Sequence, residues 1–591
     1  MIVYRKVEEW KETLSHIDRL KSMVVEAASA ASGDTLREAA LDLLIEWGVF
    51  ESALVDAISP DEDDDNDAIA LLRRAALLTG RIFHASIRAV DQNGHKGLCN
   101  ELMGIADRLK GLKLPESVTL REPEGYAHYG LYPELYMKAA RRLSEESRPT
   151  EAVCIGLRSI GTSLSAAASA ALAAEGCSVE SLTLRPRGHP FKRYIQASRA
   201  VSRRIQSLRG RPFLIFDEGP GLSGTSFGSA VKFLSSLGIP EKDMVLFPSW
   251  EPDGSAFFSE EAKGPWGRLR KYTADFDSVF VKSGRLSRGL KTSGLVNISG
   301  GGWRPYFYRS EEDYPAVNAH HEKRKYVAIG AHSEGEGEGD GRAWNGLVLR
   351  FAGLGRFGRS KYERALRLSA SGLTQRAASI RDGFMATEFV HGRPVAGTEL
   401  NQVLLDEMAR YVAFIDNNMD ERPSVSFDEM EEMIRRNTTV GLGGKWTERL
   451  SALSRFRPSF NENGARSVDG RMLPNEWLLT PRGYVKADSF DHHADQFFPR
   501  CQDIAWDLAG AIIEFNLSPM EEDYFLSRFL RLSRDRSALK RLQFYKTAYL
   551  AYRLGYSAFS AEELKGTKDG EKFKALNGRY SLRLKHELLA L

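Results

Sequence analysis

Two neighbouring acids, Asp217 and Glu218, follow the apolar run 213–216 and precede a loop of Gly, Pro, Ser and Thr that opens a helical pattern. With a strand over 213–216, a loop over 217–225 and a helix from about 226, the loop lies at the carboxyl end of a parallel strand, where open α/β sheets bind ligands. Gly219, Gly221 and Gly224 let backbone amides turn inward, and Ser223, Thr225 and Ser226 offer hydroxyls at a helix N-terminus, whose dipole favours an anion. A phosphate monoester fits such a loop. The acids would repel a phosphate placed on them, but two adjacent carboxylates accept hydrogen bonds from two vicinal hydroxyls. A ribose 5-phosphate combines both features. The glycine spacing matches neither a Walker A loop nor a dinucleotide fingerprint.

The elements that must position this loop are legible around it. "EAVCIGL", "SLSAAASAALAAEG", "SVESLTLRP" and, after the helix that the loop opens, "DMVLFPSW" alternate strand and helix patterns at the spacing of a parallel sheet. Residues 1–120 carry apolar positions at threes and fours, the pattern of a helical domain. Within them, "SPDEDDDND" (59–67) packs six acids beside a proline and reads as a solvated surface loop. "AHSEGEGEGDGRAW" (331–344) reads as a mobile loop with no core-forming side chain. Beyond it, 345–358 reads as a hairpin, and the remainder as mainly helical.

At 591 residues, the chain exceeds one hydrophobic core, and about three domains are expected. Its 82 basic and 79 acidic residues leave a net charge of +3, which gives no global reason to expect nucleic acid or a membrane surface. The basic stretch 193–211 lacks interleaved aromatics and is not read as a nucleic-acid patch. Four scattered cysteines with no CxxC pair argue against a disulfide framework or a zinc site. With no signal-peptide core and no apolar run of about 18 residues, a cytoplasmic protein is expected.

The acid pair and its loop resemble the signature of the type I phosphoribosyltransferases. That resemblance covers roughly 126–290 and implies that Asp217 and Glu218 hold the ribose hydroxyls of phosphoribosyl pyrophosphate, with Mg²⁺ at the same acids, while Gly221, Ser223, Gly224, Thr225 and Ser226 take its 5-phosphate. "VCIGLRSIGTSLSAAA" (153–168) is similar to the family's pyrophosphate turn, which puts Arg158 and Gly161 on the leaving group. "RPRGHPFKRY" (185–194) stands where the family has a mobile basic loop, with Arg187 and Lys192 as its contacts. Tyr126, Tyr129 and Tyr132 could stack on an acceptor base or pack in the core.

The C-terminal third resembles the choline kinase and aminoglycoside phosphotransferase families. "GLVLRFAGLGRFGRSKYERAL" (346–366) is similar to their strand and helix with a basic–acidic pair, here Arg350 and Glu363 on the ATP phosphates. "GYVKADSFDHH" followed by "QDIAWDLAG" implies Asp488 on Mg²⁺, with Asp503 and Asp507 bracing the catalytic loop. That loop departs from the family: "SVDGRMLPNEW" lacks the His and spaces Asp469 and Asn475 one residue too far apart. Asp491, His492, His493 and Asp495 read as an exposed polar loop, and His320 and His321 as an exposed linker.

The expected organisation is multidomain α/β and α+β: a helical region at 1–120, a phosphoribosyltransferase-like parallel-sheet domain at 121–300 and a kinase-like domain at 301–591. The expected activity is Mg²⁺-dependent phosphoribosyl transfer from phosphoribosyl pyrophosphate to an unspecified small-molecule acceptor. Two alternatives stand beside it: a regulatory protein of a bacterial stress or defence system, whose central domain senses the same donor or a nucleotide and whose pseudokinase-like domain relays it, and a bifunctional biosynthetic enzyme whose kinase-like domain uses ATP to phosphorylate the product. A homo-oligomer is compatible with each.

Overall fold

Phe213–Phe216 and Met244–Phe247 are unbroken apolar runs, without the alternation of a half-exposed strand, and both become strands buried at every residue. In the computed structural model, residue 2 and residues 8–591 are described, apart from 31–32, 89–93, 222, 256, 258, 291, 331–345, 398, 420, 423 and 461–463. The expected loop 331–344 therefore lies outside the described residues. The chain divides into an N-terminal unit, Val7–Leu286 with Leu354–Arg356, and a C-terminal unit, Met1–Lys6, Ser287–Gly353 and Phe357–Leu591.

In the N-terminal unit, β1 (Glu8–Glu12) pairs antiparallel with β2 (Ser117–Arg121) around α1 (Thr13–Ser29), α2 (Asp34–Ile58), α3 (Asp67–Arg88) and α4 (Gly94–Lys110). After α5 (Pro133–Ser147) come β3 (Glu151–Leu157), α6 (Gly161–Ala174), β4 (Ser178–Leu184), the hairpin β5 (Arg187–His189) and β6 (Lys192–Tyr194), and α7 (Arg199–Ser207). The chain then forms β7 (Phe213–Phe216), α8 (Thr225–Ser236), β8 (Met244–Phe247), α9 (Glu260–Arg268) and β9 (Arg270–Lys271). The strands form a sheet of order β4-β3-β7-β8-β9, parallel at every pairing. Strand order reverses between β3 and β7, which makes their carboxyl ends the switch-point crevice of the sheet.

The helical region does not form a core of its own. A Cβ on Gly80 of α3 would stand 2.4 Å from the Ala166 carbonyl oxygen, and one on Gly48 of α2 would stand 2.7 Å from Ser163 Cβ, so both helices cross α6 at backbone range. Ala166, Ala167 and Ala171 thereby join the apolar cluster of Trp47, Phe50, Leu72 and Phe83. The boundary read near residue 120 is corrected by this shared core, since small residues on α6 bring the helices onto the sheet layer.

In the C-terminal unit, β10 (Gly294–Asn297), β11 (Lys325–Ile329), β12 (Leu347–Phe351), β13 (Ala377–Arg381) and β14 (Phe384–Glu388) form an antiparallel sheet of order β10-β11-β12-β14-β13. Helix α10 (Arg356–Ala370) follows β12, so the hairpin read at 345–358 is a strand running into a helix. Gly353 and Gly355 take positive φ at that corner, 124° and 56°. Then follow β15 (Arg393–Pro394), α11 (Gln402–Asn418), β16 (Glu421–Arg422), α12 (Phe427–Leu442), β17 (Ala465–Arg466), β18 (Trp477–Thr480) and β19 (Gly483–Lys486). The chain ends with α13 (Ala505–Glu514), α14 (Pro519–Leu532), α15 (Leu539–Glu563) and α16 (Lys568–Ala590), packed around Trp477, Trp506, Tyr545 and Tyr549. Among the described residues, no helix is long and apolar enough to cross a membrane.

Candidate functional site

Because Gly156 pairs with Phe216 and Leu157 with Leu184, the residues just beyond β3, β4 and β7 emerge at one edge of the sheet. Asp217 and Glu218 leave β7 there, each half-buried. Asp217 accepts the Glu218 N–H at 2.9 Å, and its carbonyl oxygen accepts the Tyr136 hydroxyl at 2.8 Å. Glu218 abuts the π-helical turn Gly125–Tyr129: a Cβ on Gly125 would lie 3.0 Å from Glu218 Cδ. Burial pushes Glu218 up to about 8, with Glu124 and Asp217 adding to the effect. Burial likewise raises Glu124 to about 7 and Asp217 to about 6, the latter opposed by the Glu218 N–H and by Arg193. These three carboxylates carry fewer than three charges at neutral pH. Partly protonated carboxyls can exchange hydrogen bonds with ligand hydroxyls, whereas a divalent cation would have to displace their protons.

The loop after the acids turns at Gly224, whose φ of 64° and whose notional Cβ, 2.6 Å from the Phe257 ring, both require glycine. Ser223 Oγ and Thr225 Oγ1 lie 2.9 Å apart, and Thr225 donates to the Pro190 carbonyl at 2.5 Å. Pro190 sits between β5 and β6, so this hairpin lies against the loop. Gly221 is exposed, Ser226 is half-buried on the first turn of α8, and Lys192 is exposed on β6. On the neighbouring strand end, Ser159 takes a φ of 120°, a left-handed value unusual for serine. Ser52 Oγ donates to its carbonyl at 3.1 Å. Gly161 allows this turn to touch β7, since a Cβ there would be 2.5 Å from the Phe216 carbonyl oxygen.

The arginines expected on pyrophosphate are engaged elsewhere. Arg158 donates through Nε to Asp56 at 2.9 Å and through Nη2 to Asp63, and Arg187 Nη1 donates to Asp63 at 2.9 Å. Arg185 Nη1 lies 2.7 Å from Asp56, and the Arg185 N–H reaches Asp63 at 2.9 Å. The solvated-loop reading of 59–67 is corrected by the same contacts: Asp63 is 1% exposed because it is ringed by guanidinium groups. Of the three tyrosines, Tyr126 is buried with its hydroxyl 2.8 Å from Ser163 Oγ, and Tyr132 is buried against Phe276 and Phe280, which leaves Tyr129 exposed.

In the C-terminal unit, Asp507 on α13 accepts the N–H groups of Asp469 at 2.7 Å and Gly470 at 2.9 Å, and so holds the loop that carries Asp469. Asp503 instead accepts from Arg541 Nε at 2.6 Å. Asp469 is fully buried, 2.5 Å from the Tyr411 hydroxyl, 3.2 Å from Lys486 Nζ and 3.4 Å from His492 Nδ1. Burial opposes its charge, but Lys486 and His492 overcome that and hold it well below the ordinary aspartate range. Lys486 also pairs with Glu476 at 2.8 Å.

Arg350 pairs with Asp488 and, at 3.0 Å, with Asp491, while Glu363 lies on the exposed side of α10. The expected Arg350 to Glu363 pair is thus replaced, because α10 turns Lys361 and Arg364 inward instead. Lys323 reaches Asp491 at 2.7 Å, and Lys325 lies 3.7 Å from Asp488. Two triads, Asp469 with Glu476 and His492, and Asp488 with Asp491 and His492, have ligand-type atoms within 4.8 Å of one another. Lys486 lies between the two carboxylates of the first, and Arg350, Lys323 and Lys325 face the two of the second, so Asp488 is held in ion pairs in this arrangement. The exposed-loop reading fails at Asp491 and His492, which are buried by these partners. His321 stacks on Phe559 at 5.5 Å, lies tilted against Phe497 at 4.0 Å and pairs with Glu563 at 3.0 Å, and of the two histidines only His320 is exposed as a linker residue.

No family model and no curated protein matches the chain. Similar solved structures include choline kinase LicA from Streptococcus pneumoniae, 15% identical over 45% of this chain and 90% of that one, with a TM-score of 0.32. An ethanolamine kinase from Plasmodium vivax is 10% identical, covering 63% and 97% of the two chains, with a TM-score of 0.32. A spectinomycin phosphotransferase in complex with ADP and spectinomycin is 12% identical, covering 53% and 98%, with a TM-score of 0.32. None of these three is a phosphoribosyltransferase, and the central resemblance stands on its own residues. What either unit can do is decided by its side chains.

Glu124, Asp56, Asp63, Lys323 and Lys486 escape a reading of the sequence alone. All but Lys486, which reaches Glu476 across the β18–β19 hairpin, meet their partners across long stretches of chain, and only the "PDEDDDND" run carries a signal, in a composition that ordinarily marks solvent.

Proposed function

We propose that the N-terminal unit binds a 5-phosphoribosyl ligand in the crevice between β3 and β7, and that the protein is a regulatory sensor of that ligand. The observation that carries this reading is the acid pair at the switch point beside a Gly/Ser/Thr loop at a helix N-terminus. Asp217 and Glu218 accept the ribose hydroxyls, and Ser223, Thr225, Ser226 and the amides of the loop hold the phosphate. Asp217 and Glu218 would hold a Mg²⁺ that accompanies the ligand, which would supply positive charge for ligand oxygens. Binding is favoured over transfer because Arg158 and Arg187, the groups that would steady a leaving pyrophosphate, are already paired with acids. In the C-terminal unit, Asp469 is buried and ion-paired, which disfavours its acting as a base in phosphotransfer.

The test is calorimetric titration of phosphoribosyl pyrophosphate and of ribose 5-phosphate, each with Mg²⁺, into the wild type and an Asp217→Asn, Glu218→Gln double variant. Binding of at least one ligand, abolished in the double variant, supports the reading; a folded wild type that binds neither refutes it. A second reading, ATP-dependent phosphotransfer in the C-terminal unit, is favoured by the bracing of the Asp469 loop by Asp507. It requires Arg350 to leave Asp488, and it predicts Mg-ATP turnover that Asp488→Asn removes.

A further inference from the structure

The arginines at the ends of β3 and β4 form a site for anions. Arg158, Arg185 and Arg187 converge from the residues just after two adjacent strands, at the edge where Asp217 and Glu218 leave β7. Three guanidinium groups face two carboxylates, Asp56 and Asp63, so one positive charge is in excess. Arg187 is 8% exposed at its side chain, yet its Nε and Nη2 are buried with no hydrogen-bond partner. A guanidinium that is both buried and under-used costs free energy, and an anion richer in oxygens than a carboxylate would satisfy it.

The present occupant comes from the chain itself. Asp63 sits between α2 and α3, on a segment whose backbone joins the stretch just after β6: its N–H donates to the Gln196 carbonyl at 2.8 Å, and its carbonyl accepts the Ser198 N–H at 2.8 Å. Its carboxylate takes donors from Arg158, Arg185 and Arg187 at once, a set that resembles the solvation of a phosphate oxygen.

We infer that the acidic segment around Asp63 acts as an internal stand-in for a diphosphate, so that the crevice, as built here, selects 5-phosphoribosyl monoesters over 1-diphospho ligands. This rests on the proposed ribose site. On that reading, a diphosphate on C1 of a ribose held by Asp217 and Glu218 would draw on donors at the neighbouring strand end, where Asp63 already holds Arg158 and Arg187. Two like-charged groups competing for one set of donors exclude each other, whereas a ligand with an uncharged hydroxyl or a base at C1 meets no such competition.

The experiment is titration of ribose 5-phosphate, phosphoribosyl pyrophosphate and inorganic pyrophosphate into the full-length wild type and Asp63→Asn. The wild type should bind ribose 5-phosphate about tenfold or more tightly than phosphoribosyl pyrophosphate, and Asp63→Asn should tighten the diphospho ligand by about tenfold while leaving ribose 5-phosphate within about twofold. A wild type that binds both equally, or a folded Asp63→Asn with unchanged preference, overturns the inference. Inorganic pyrophosphate separates this failure from failure of the ribose site. If neither ribose compound binds but pyrophosphate binds Asp63→Asn and not the wild type, the stand-in survives and the ribose site does not. If pyrophosphate fails as well, both fall. Should Asp63→Asn not fold, Asp56→Asn frees Arg158 Nε and Arg185 from a partner that is 18% exposed and must shift the preference the same way. The wild-type preference is itself decisive without any variant.

Discussion

Replacing Glu218 with glutamine tests the crevice through its proton. In the folded protein, burial and the neighbouring acids move Glu218 from 4.5 up to about 8. The folded state therefore keeps a proton that the unfolded chain releases between these values. Stability contributed by that proton is fully present below the ordinary glutamate range and is lost as pH rises through the folded value. Between about pH 5 and about pH 8.5, the loss through this one group is about 4 kcal/mol. Glutamine is nearly isosteric and does not ionise, so the variant should match the wild type near pH 5 and exceed it by a few kcal/mol near pH 8.5. Urea unfolding read by hydrogen exchange of peptides spanning β7 and α8 reports this unit separately from the other, as a chain of two units requires. Mg²⁺ bound at the acids should return part of the wild-type loss at high pH and do nothing comparable for the variant. Parallel stability-versus-pH curves for the two proteins would refute the reasoning, because they would mean Glu218 ionises in this crevice as freely as in water.

Three further outcomes follow from packing and buried charge. Gly80→Ala places a methyl group 2.4 Å from the Ala166 carbonyl oxygen and should destabilise the N-terminal unit by about 1–3 kcal/mol despite alanine's better helix propensity, measured by thermal unfolding. Arg541→Met leaves Asp503 and Asp535 buried without their cation and should cost about 3–5 kcal/mol in urea unfolding of the C-terminal unit. Lys486→Met removes the partner of both Asp469 and Glu476 and should cost a similar amount near neutral pH. Because Lys486 holds Asp469 below its ordinary value, that contribution is present above the aspartate range, and the gap between wild type and variant should narrow as pH falls through it.

Elements whose information is local are legible in the amino-acid order alone. The apolar runs Phe213–Phe216 and Met244–Phe247, the small-residue helix over 161–174 and the Gly/Ser/Thr loop between strand and helix are all encoded within a few residues. Hence the parallel strands, the position of Asp217 and Glu218 at their edge and the loop beside them follow from short stretches of chain. The holding of the Asp469 loop by Asp507 follows what the resemblance of "QDIAWDLAG" to the phosphotransferase families implies, whereas Asp503 in the same stretch pairs with Arg541 instead. Which charges meet is settled only when the chain is folded. Asp63 lies 95 positions from Arg158, Lys323 reaches Asp491 across 168 positions, and Arg350 pairs with Asp488 and Asp491 in place of Glu363. A charged residue reads alike in sequence whether it is solvated or buried against a partner. Its state depends on desolvation and on opposite charge within a few ångströms, and both are properties of the assembled fold. The same distinction separates a crevice that is open to a diphosphate from one that the chain has filled with its own acid.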